Sequence, residues 1–163
     1  MLVRKGTPSD WISLENVNWK EKFPYKPQVK FRVWHDGESF HIEYKVKEQG
    51  TRALQTVLGG PVYEDSCVEC FIQPDPADPH YYNFEVNPIG MMAMACRPGR
   101  NDPEDAPQAV LESVKIETTA GTGSFDEKFV EEWGLKIAIP ASALFNSGVK
   151  DFSGRSMRMN FFN

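Results

Sequence analysis

Val29-Lys30-Phe31-Arg32-Val33-Trp34, then His35-Asp36-Gly37-Glu38-Ser39, then Phe40-His41-Ile42-Glu43-Tyr44-Lys45-Val46-Lys47: two runs alternate apolar and polar residues on either side of an Asp-Gly turn. Period-two alternation marks a half-buried strand, and Asp-Gly is among the strongest local hairpin signals. The stretch reads as a β-hairpin. Val29, Phe31, Val33, Phe40, Ile42, Tyr44 and Val46 face a core, and the Lys, Arg, Glu and His positions face water.

Outward from this hairpin the pattern repeats. A polar connection at 48–60 ends in Gly59-Gly60-Pro61. A strand at 66–73 leads into Pro74-Asp75-Pro76-Ala77-Asp78-Pro79, and a further strand follows at 80–87. Prolines so closely spaced stop helix and strand alike, so this is a second hairpin with a longer loop. Residues 88–94 read as a short strand and 97–107 as a polar loop. Strands follow at 109–119 and 133–139, joined by a turn over 121–128. Pro140-Ala141-Ser142-Ala143-Leu144-Phe145 suits one helical turn, and Met157-Arg158-Met159-Asn160-Phe161-Phe162 is a last alternating run. Toward the N-terminus, Trp11, Trp19, Phe23 and Tyr25 are spaced as if across a sheet edge, and Pro24 and Pro27 preclude a regular helix. Roughly six to nine strands with almost no helix indicate an all-β fold, an antiparallel β-sandwich of jelly-roll or immunoglobulin-like type. The expected organisation is a single domain over 1–163.

Composition agrees. The 163 residues include 11 Phe, 5 Tyr and 4 Trp with 12 Gly and 12 Pro, a bias toward strands and turns. Eighteen Lys and Arg against 23 Asp and Glu give a net charge of −5, and no basic stripe is present, which argues against nucleic acid as a partner. No apolar run approaches the ~20 residues of a membrane-spanning helix, so no membrane partner is expected. Met1-Leu2-Val3-Arg4-Lys5-Gly6 has no apolar export segment; the expected compartment is the cytoplasm unless a signal was removed. Cys67 and Cys70 have metal or redox spacing, with Cys96 as a third sulfur. On a strand, however, side chains three apart point to opposite faces, so partly buried free thiols are expected.

Chemistry concentrates in the second hairpin. Alternation puts Tyr82, Phe84 and Val86 on the core face and Tyr81, Asn83, Glu85 and Asn87 on the other. On the partner strand Val68, Cys70 and Ile72 point inward, leaving Cys67, Glu69 and Phe71 beside that set. Directly opposite residues of antiparallel strands lie about 4.5–5.5 Å apart, which brings Glu69 within reach of Asn83, Glu85 or Asn87. Carboxylates and amides match the hydroxyls of a sugar ring, and an aromatic plane matches its C–H face. Tyr63, Tyr81, Trp34 and Trp133 are the candidate platforms. A merely solvated sheet face is the competing reading.

Other chemistries are weighed against this one. Paired carboxylates raise glycoside hydrolysis by Glu69 and Glu85, which would need a closed cleft and one raised pKa. The loop acids Glu64, Asp65, Asp75 and Asp78 would suit a structural calcium, although their spacing matches no EF-hand. His80 with Met91, Met92 or Met94 would supply haem ligands, against the commoner role of such methionines in core packing.

Several blocks carry a family resemblance. They are Asn18-Trp19, Phe23-Pro24-Tyr25-Lys26-Pro27-Gln28-Val29-Lys30-Phe31, Thr51-Arg52-Ala53, Gly60-Pro61-Val62-Tyr63-Glu64-Asp65-Ser66-Cys67-Val68-Glu69 and Tyr81-Tyr82-Asn83-Phe84-Glu85-Val86-Asn87-Pro88-Ile89-Gly90. Together they resemble the carbohydrate-binding module family 9-like proteins, in particular the short stand-alone group common in gut Bacteroidetes. The resemblance implies a β-sandwich that binds a mono- or oligosaccharide of plant or host glycans without catalysis, in polysaccharide utilisation. In relatives such modules are often attached to xylanases, so association with glycoside hydrolases is implied, and structural calcium is sometimes present. By position Tyr63 stands where the family has its first stacking Trp, and Glu69 matches its hydroxyl-binding acid. Glu85 and Asn87 fall where polar contacts are expected, with Arg52 and Asn83 behind them. The resemblance also implies a continuation beyond residue 163 that carries the final strands and a second aromatic plane. Its runner-up is a haem-binding sandwich of the related DOMON-like type.

Overall fold

The computed structural model describes residues 1–18, 20–99, 101–127 and 131–163; the expectation for Trp19 and the end of the 121–128 turn lie outside them. In chain order the elements are β1 (Ile12–Ser13), β2 (Gln28–His35), β3 (Ser39–Lys47), β4 (Thr51–Ala53), β5 (Val68–Gln73), β6 (Tyr81–Val86), β7 (Met92–Arg97), β8 (Glu104–Asp105), α1 (Gln108–Ser113), β9 (Lys115–Thr118), β10 (Phe125–Glu127), β11 (Glu132–Pro140) and β12 (Arg158–Phe162). Single 3-10 turns occur at Val62–Glu64 and Ala141–Ala143. Strands β1-β2-β3-β11-β9 form a first sheet and β12-β5-β6-β7-β8 a second, with β10-β4 as a two-stranded ribbon. Every one of these pairings is antiparallel.

The opening hairpin forms as its pattern dictates. Val29, Phe31, Val33, Phe40, Ile42, Tyr44 and Val46 are all buried. At the turn, Asp36 Oδ1 accepts the Ser39 N–H at 2.7 Å, and Gly37 takes φ of +108°. A Cβ at Gly37 would lie 3.0 Å from Asp151 Oδ2, so both the backbone angle and the close approach require glycine. The two sheets meet over one core. Phe31 of β2 stacks on Phe161 of β12 at 3.9 Å between ring centres, and the Tyr44 hydroxyl donates to the Glu69 carbonyl across the sandwich at 3.2 Å.

Four segments differ from expectation. Residues 109–119 are helix α1 followed by β9: Pro107 precedes the helix start, Leu111 is its buried residue, and Val114, extended just past the helix end, is buried as well. The connection at 48–60 contains β4, which pairs with β10 inside the expected 121–128 turn; three-residue strands carry too little alternation to stand out. The third strand of the second sheet spans Met92–Arg97 rather than 88–94, because residues 87–91 make the reversal between β6 and β7. There the Asn87 N–H bonds the Met91 carbonyl at 3.0 Å and the Gly90 N–H bonds the Asn87 carbonyl at 3.0 Å. The loop at 97–107 holds β8.

Candidate functional site

The outer face of the second sheet is built in registered rows. Phe162 stands opposite Glu69, Glu69 opposite Glu85, and Glu85 opposite Ala93. In the next row Asn160 faces Phe71, Phe71 faces Asn83, and Asn83 faces Ala95. Tyr81 and Arg97 are opposite one step further on. The β7 partners of Glu85 and Asn83 are alanines, and Asn83 and Ala95 are both buried, 4% and 3% exposed, so this pair is covered while Glu69 and Glu85 stay half-buried. Phe71 meets Phe162 edge-on at 5.3 Å and Tyr81 tilted at 6.0 Å.

The polar groups are connected in one direction. Arg97 Nε donates to Asn83 Oδ1 at 3.1 Å, and Asn83 Nδ2 donates to Glu85 Oε1 at 2.9 Å. This relay fixes the amide orientation of Asn83 and turns its hydrogen-bonding capacity toward Glu85. Burial pushes the Glu85 carboxyl up, while the Asn83 bond and the Arg97 charge oppose that rise. Burial also pushes Glu69 up, and the facing Glu85 charge pushes it further. Glu69 thus holds its proton more firmly than an ordinary carboxylate, whereas the Asn83 bond and the Arg97 charge favour the ionised form of Glu85.

The sign of the Glu69 shift carries a stability consequence. A carboxyl with its pKa raised on folding contributes best below its unfolded value, and stability falls as pH rises from there through the folded value. Glu69→Gln should therefore match the parent near pH 4 and exceed it at pH 7 by about 0.5 kcal/mol, the scale of a like-charge cross-strand pair. Thermal melts at both pH values check this; a variant less stable at pH 7 than at pH 4, relative to the parent, contradicts it.

Beside this face lies the loop that carries Tyr63. Asp65 is its anchor, with a side chain that is 0% exposed. Its carboxylate accepts the Leu54 N–H at 2.9 Å, the Gln55 N–H at 2.9 Å and the Asn87 amide at 3.0 Å, and Arg52 Nε lies 3.5 Å away. These bonds hold the Asp65 pKa below the ordinary carboxylate value despite burial. Ser66 and Arg52 bond each other further along the same seam. Tyr63, two residues before Asp65, is 66% exposed at the β6 exit end of the sheet, where the Glu69–Glu85 row also lies.

Glu69, Glu85 and Asn83 therefore come together as expected, and the expected platform Tyr81 shares their face. Asn87 does not join them: its residue is 0% exposed. It lies just past the end of β6, where alternation stops, and its side chain turns into the loop. There it donates to the Gln55 carbonyl at 2.8 Å and to Asp65, and accepts the Met91 N–H at 2.9 Å. Arg52 belongs to the β4–β10 ribbon and is paired with Asp65. Trp133 is buried, with its indole N–H on Glu48 Oε1 at 2.7 Å, and Trp34 stacks on His41 on the first sheet, so neither is a platform here. Arg97 and Phe162 were not anticipated at the site. Extending the Met92, Met94, Cys96 inward alternation by one residue would have placed Arg97 outward.

The alternative ligand sets separate. Glu64 and Asp65 precede β5 while Asp75 and Asp78 follow it, so the four acids occupy opposite ends of a strand. Asp75 accepts the Ala77 N–H and Asp78 the His80 N–H. Among the described residues no three His, Cys, Asp or Glu side chains gather as metal ligands. Met92 pairs with Val86 at one end of β6 and His80 precedes its other end, while Met92 and Met94 are core residues; they cannot share one iron. Cys70 and Cys96 are buried free thiols and Cys67 is half-buried.

The model of the family described as "Carbohydrate-binding family 9" matches residues 3–163. The chain belongs to that family. A crystal structure of a candidate carbohydrate-binding protein from Bacteroides uniformis is similar to this family 9 chain with 38% identity and a TM-score of 0.85, over 93% of this chain and 69% of that one. Two structures of a family 9 module from Caldicellulosiruptor kristjanssonii, with cellotriose and with glucose, share the fold at 11% identity and a TM-score of 0.56. They cover 98% of this chain and 73% and 74% of theirs. Comparison with curated proteins gives no match.

Proposed function

We propose that this family 9 protein binds a neutral mono- or oligosaccharide on the outer face of its second sheet and leaves it chemically unchanged. One observation carries the reading: Glu69 and Glu85 face each other in register, with Glu85 supported by the Arg97–Asn83 relay. Such a pair offers carboxyl oxygens to adjacent hydroxyls, and the neighbouring Phe71, Tyr81 and Phe162 rings offer apolar contact to the C–H face. Tyr63 supplies a further plane from the loop. An open sheet face does not exclude water as a glycosidase cleft does, so binding is favoured over hydrolysis. The glycans of plant or host polysaccharide, taken up alongside glycoside hydrolases, are the proposed context.

Titration calorimetry against glucose, xylose, cellobiose and xylo-oligosaccharides tests this. Tyr63→Ala should weaken the best ligand about threefold to tenfold, the worth of one aromatic stacking contact, with the melting temperature unchanged because the ring is exposed. Absence of heat with every sugar overturns the proposal, and aryl-glycoside turnover abolished by Glu69→Gln would replace it with hydrolysis.

A further inference from the structure

On the other side of the sandwich, the outer face of the first sheet holds a hollow of about 700 Å³. Its cause is a missing side chain. Lys45 stands opposite Gly134 in the β3–β11 register, and the Thr119 hydroxyl accepts the Gly134 N–H at 2.8 Å on the other side. A Cβ at Gly134 would lie 3.0 Å from the Tyr44 carbonyl oxygen, so the hollow is built into the packing of the sheet.

The charge in this hollow runs against that of the chain. Of the groups lining it, Lys47 is paired with Glu132 at 3.1 Å and Glu43 with Arg32 at 2.5 Å. Among the described residues no carboxylate lies within ion-pair distance of Lys30, Lys45 or Lys136, which leaves three ammoniums against Glu117 in a protein of net charge −5. Lys30 and Lys45 are moreover directly opposite each other in register. Like charges in that relation are destabilising, and a bound anion would offset the cost. One of the lining lysines also reaches an aromatic ring beyond the hollow: Lys45 and Arg32 each lie 4.7 Å from the centre of Trp11.

We propose that this hollow binds an oligosaccharide carrying carboxylate groups, a uronic-acid chain. Ammoniums take the carboxylates as charge-assisted hydrogen bonds. Thr119, whose oxygen already accepts from Gly134, donates its proton to a ring or hydroxyl oxygen. The volume suits an oligosaccharide rather than an ion. The site is independent of Glu69 and Glu85.

Amide NMR titration with trigalacturonate, with its methyl ester as the uncharged control, tests the proposal on the whole chain. Shifts are expected at Lys45, Gly134 and Thr119, with the ester about tenfold weaker. The double variant Lys45→Gln/Lys136→Gln should weaken trigalacturonate by about tenfold with a melting temperature no lower than the parent's, and Glu69→Gln should leave trigalacturonate binding unaffected. The proposal is overturned by any of four results: no binding, equal binding of the ester, shifts centred on Glu69 and Glu85, or equally strong competition by a short oligonucleotide.

Discussion

Asp65→Ala is expected to lower stability by about 3 kcal/mol or more, on the order of 6–12 °C in melting temperature for a chain of this size. The substitution removes one buried carboxylate and strands four donors: the Leu54 and Gln55 N–H groups, the Asn87 amide and Arg52. Water cannot replace the carboxylate at Asn87, which is fully buried. The sign with pH is fixed. A carboxylate whose pKa is depressed on folding contributes above its unfolded value near ~4, and that contribution is lost as pH falls through the folded value. The deficit of the variant should therefore be largest at neutral pH and shrink in acid. Melts between pH 3 and pH 7 check this. A shift below about 1 kcal/mol at pH 7 would show that the loop is held by something other than Asp65.

Glu69→Gln should weaken sugar binding by about tenfold to a hundredfold, the range for a charge-assisted or charge-tuned hydrogen bond inside a desolvated contact. The side chain keeps its size and an acceptor, so the loss reports the carboxyl group itself. The same substitution is expected to stabilise the folded protein at pH 7, as argued above. Opposite signs for stability and binding mark a residue kept for a ligand rather than for the fold. Calorimetry on parent and variant decides it: unchanged affinity in a folded variant removes Glu69 from the site.

Strand faces were the most legible part of this protein. The Phe31 and Tyr44 rows, the inward Val68, Cys70 and Ile72, and the outward Glu69, Asn83 and Glu85 all follow from alternation. Legibility ended where strands ended. Asn87 continues the pattern on paper, yet the backbone reverses there and takes the amide inward. Ribbon β4–β10 and helix α1 are too short for periodicity to exceed the noise of composition. The Arg97 contribution depended on knowing that β7 runs to residue 97. Phe162 depended on which strand would lie beside β5, a long-range choice no local pattern encodes.

That long-range choice also sets a timetable. The hairpins β2–β3, β5–β6 and β6–β7 close between neighbours in sequence, but β11 must find β3, and β12 must find β5, across long intervening stretches. Contacts between distant segments are slow to form because their loop-closure entropy must be met first. The carboxylate pair Glu69–Glu85 can therefore be in place while the edge bearing Phe162 is still undocked. The carboxylates and the Phe71 and Tyr81 rings are thus an early product of folding, and the Phe162 ring a late one.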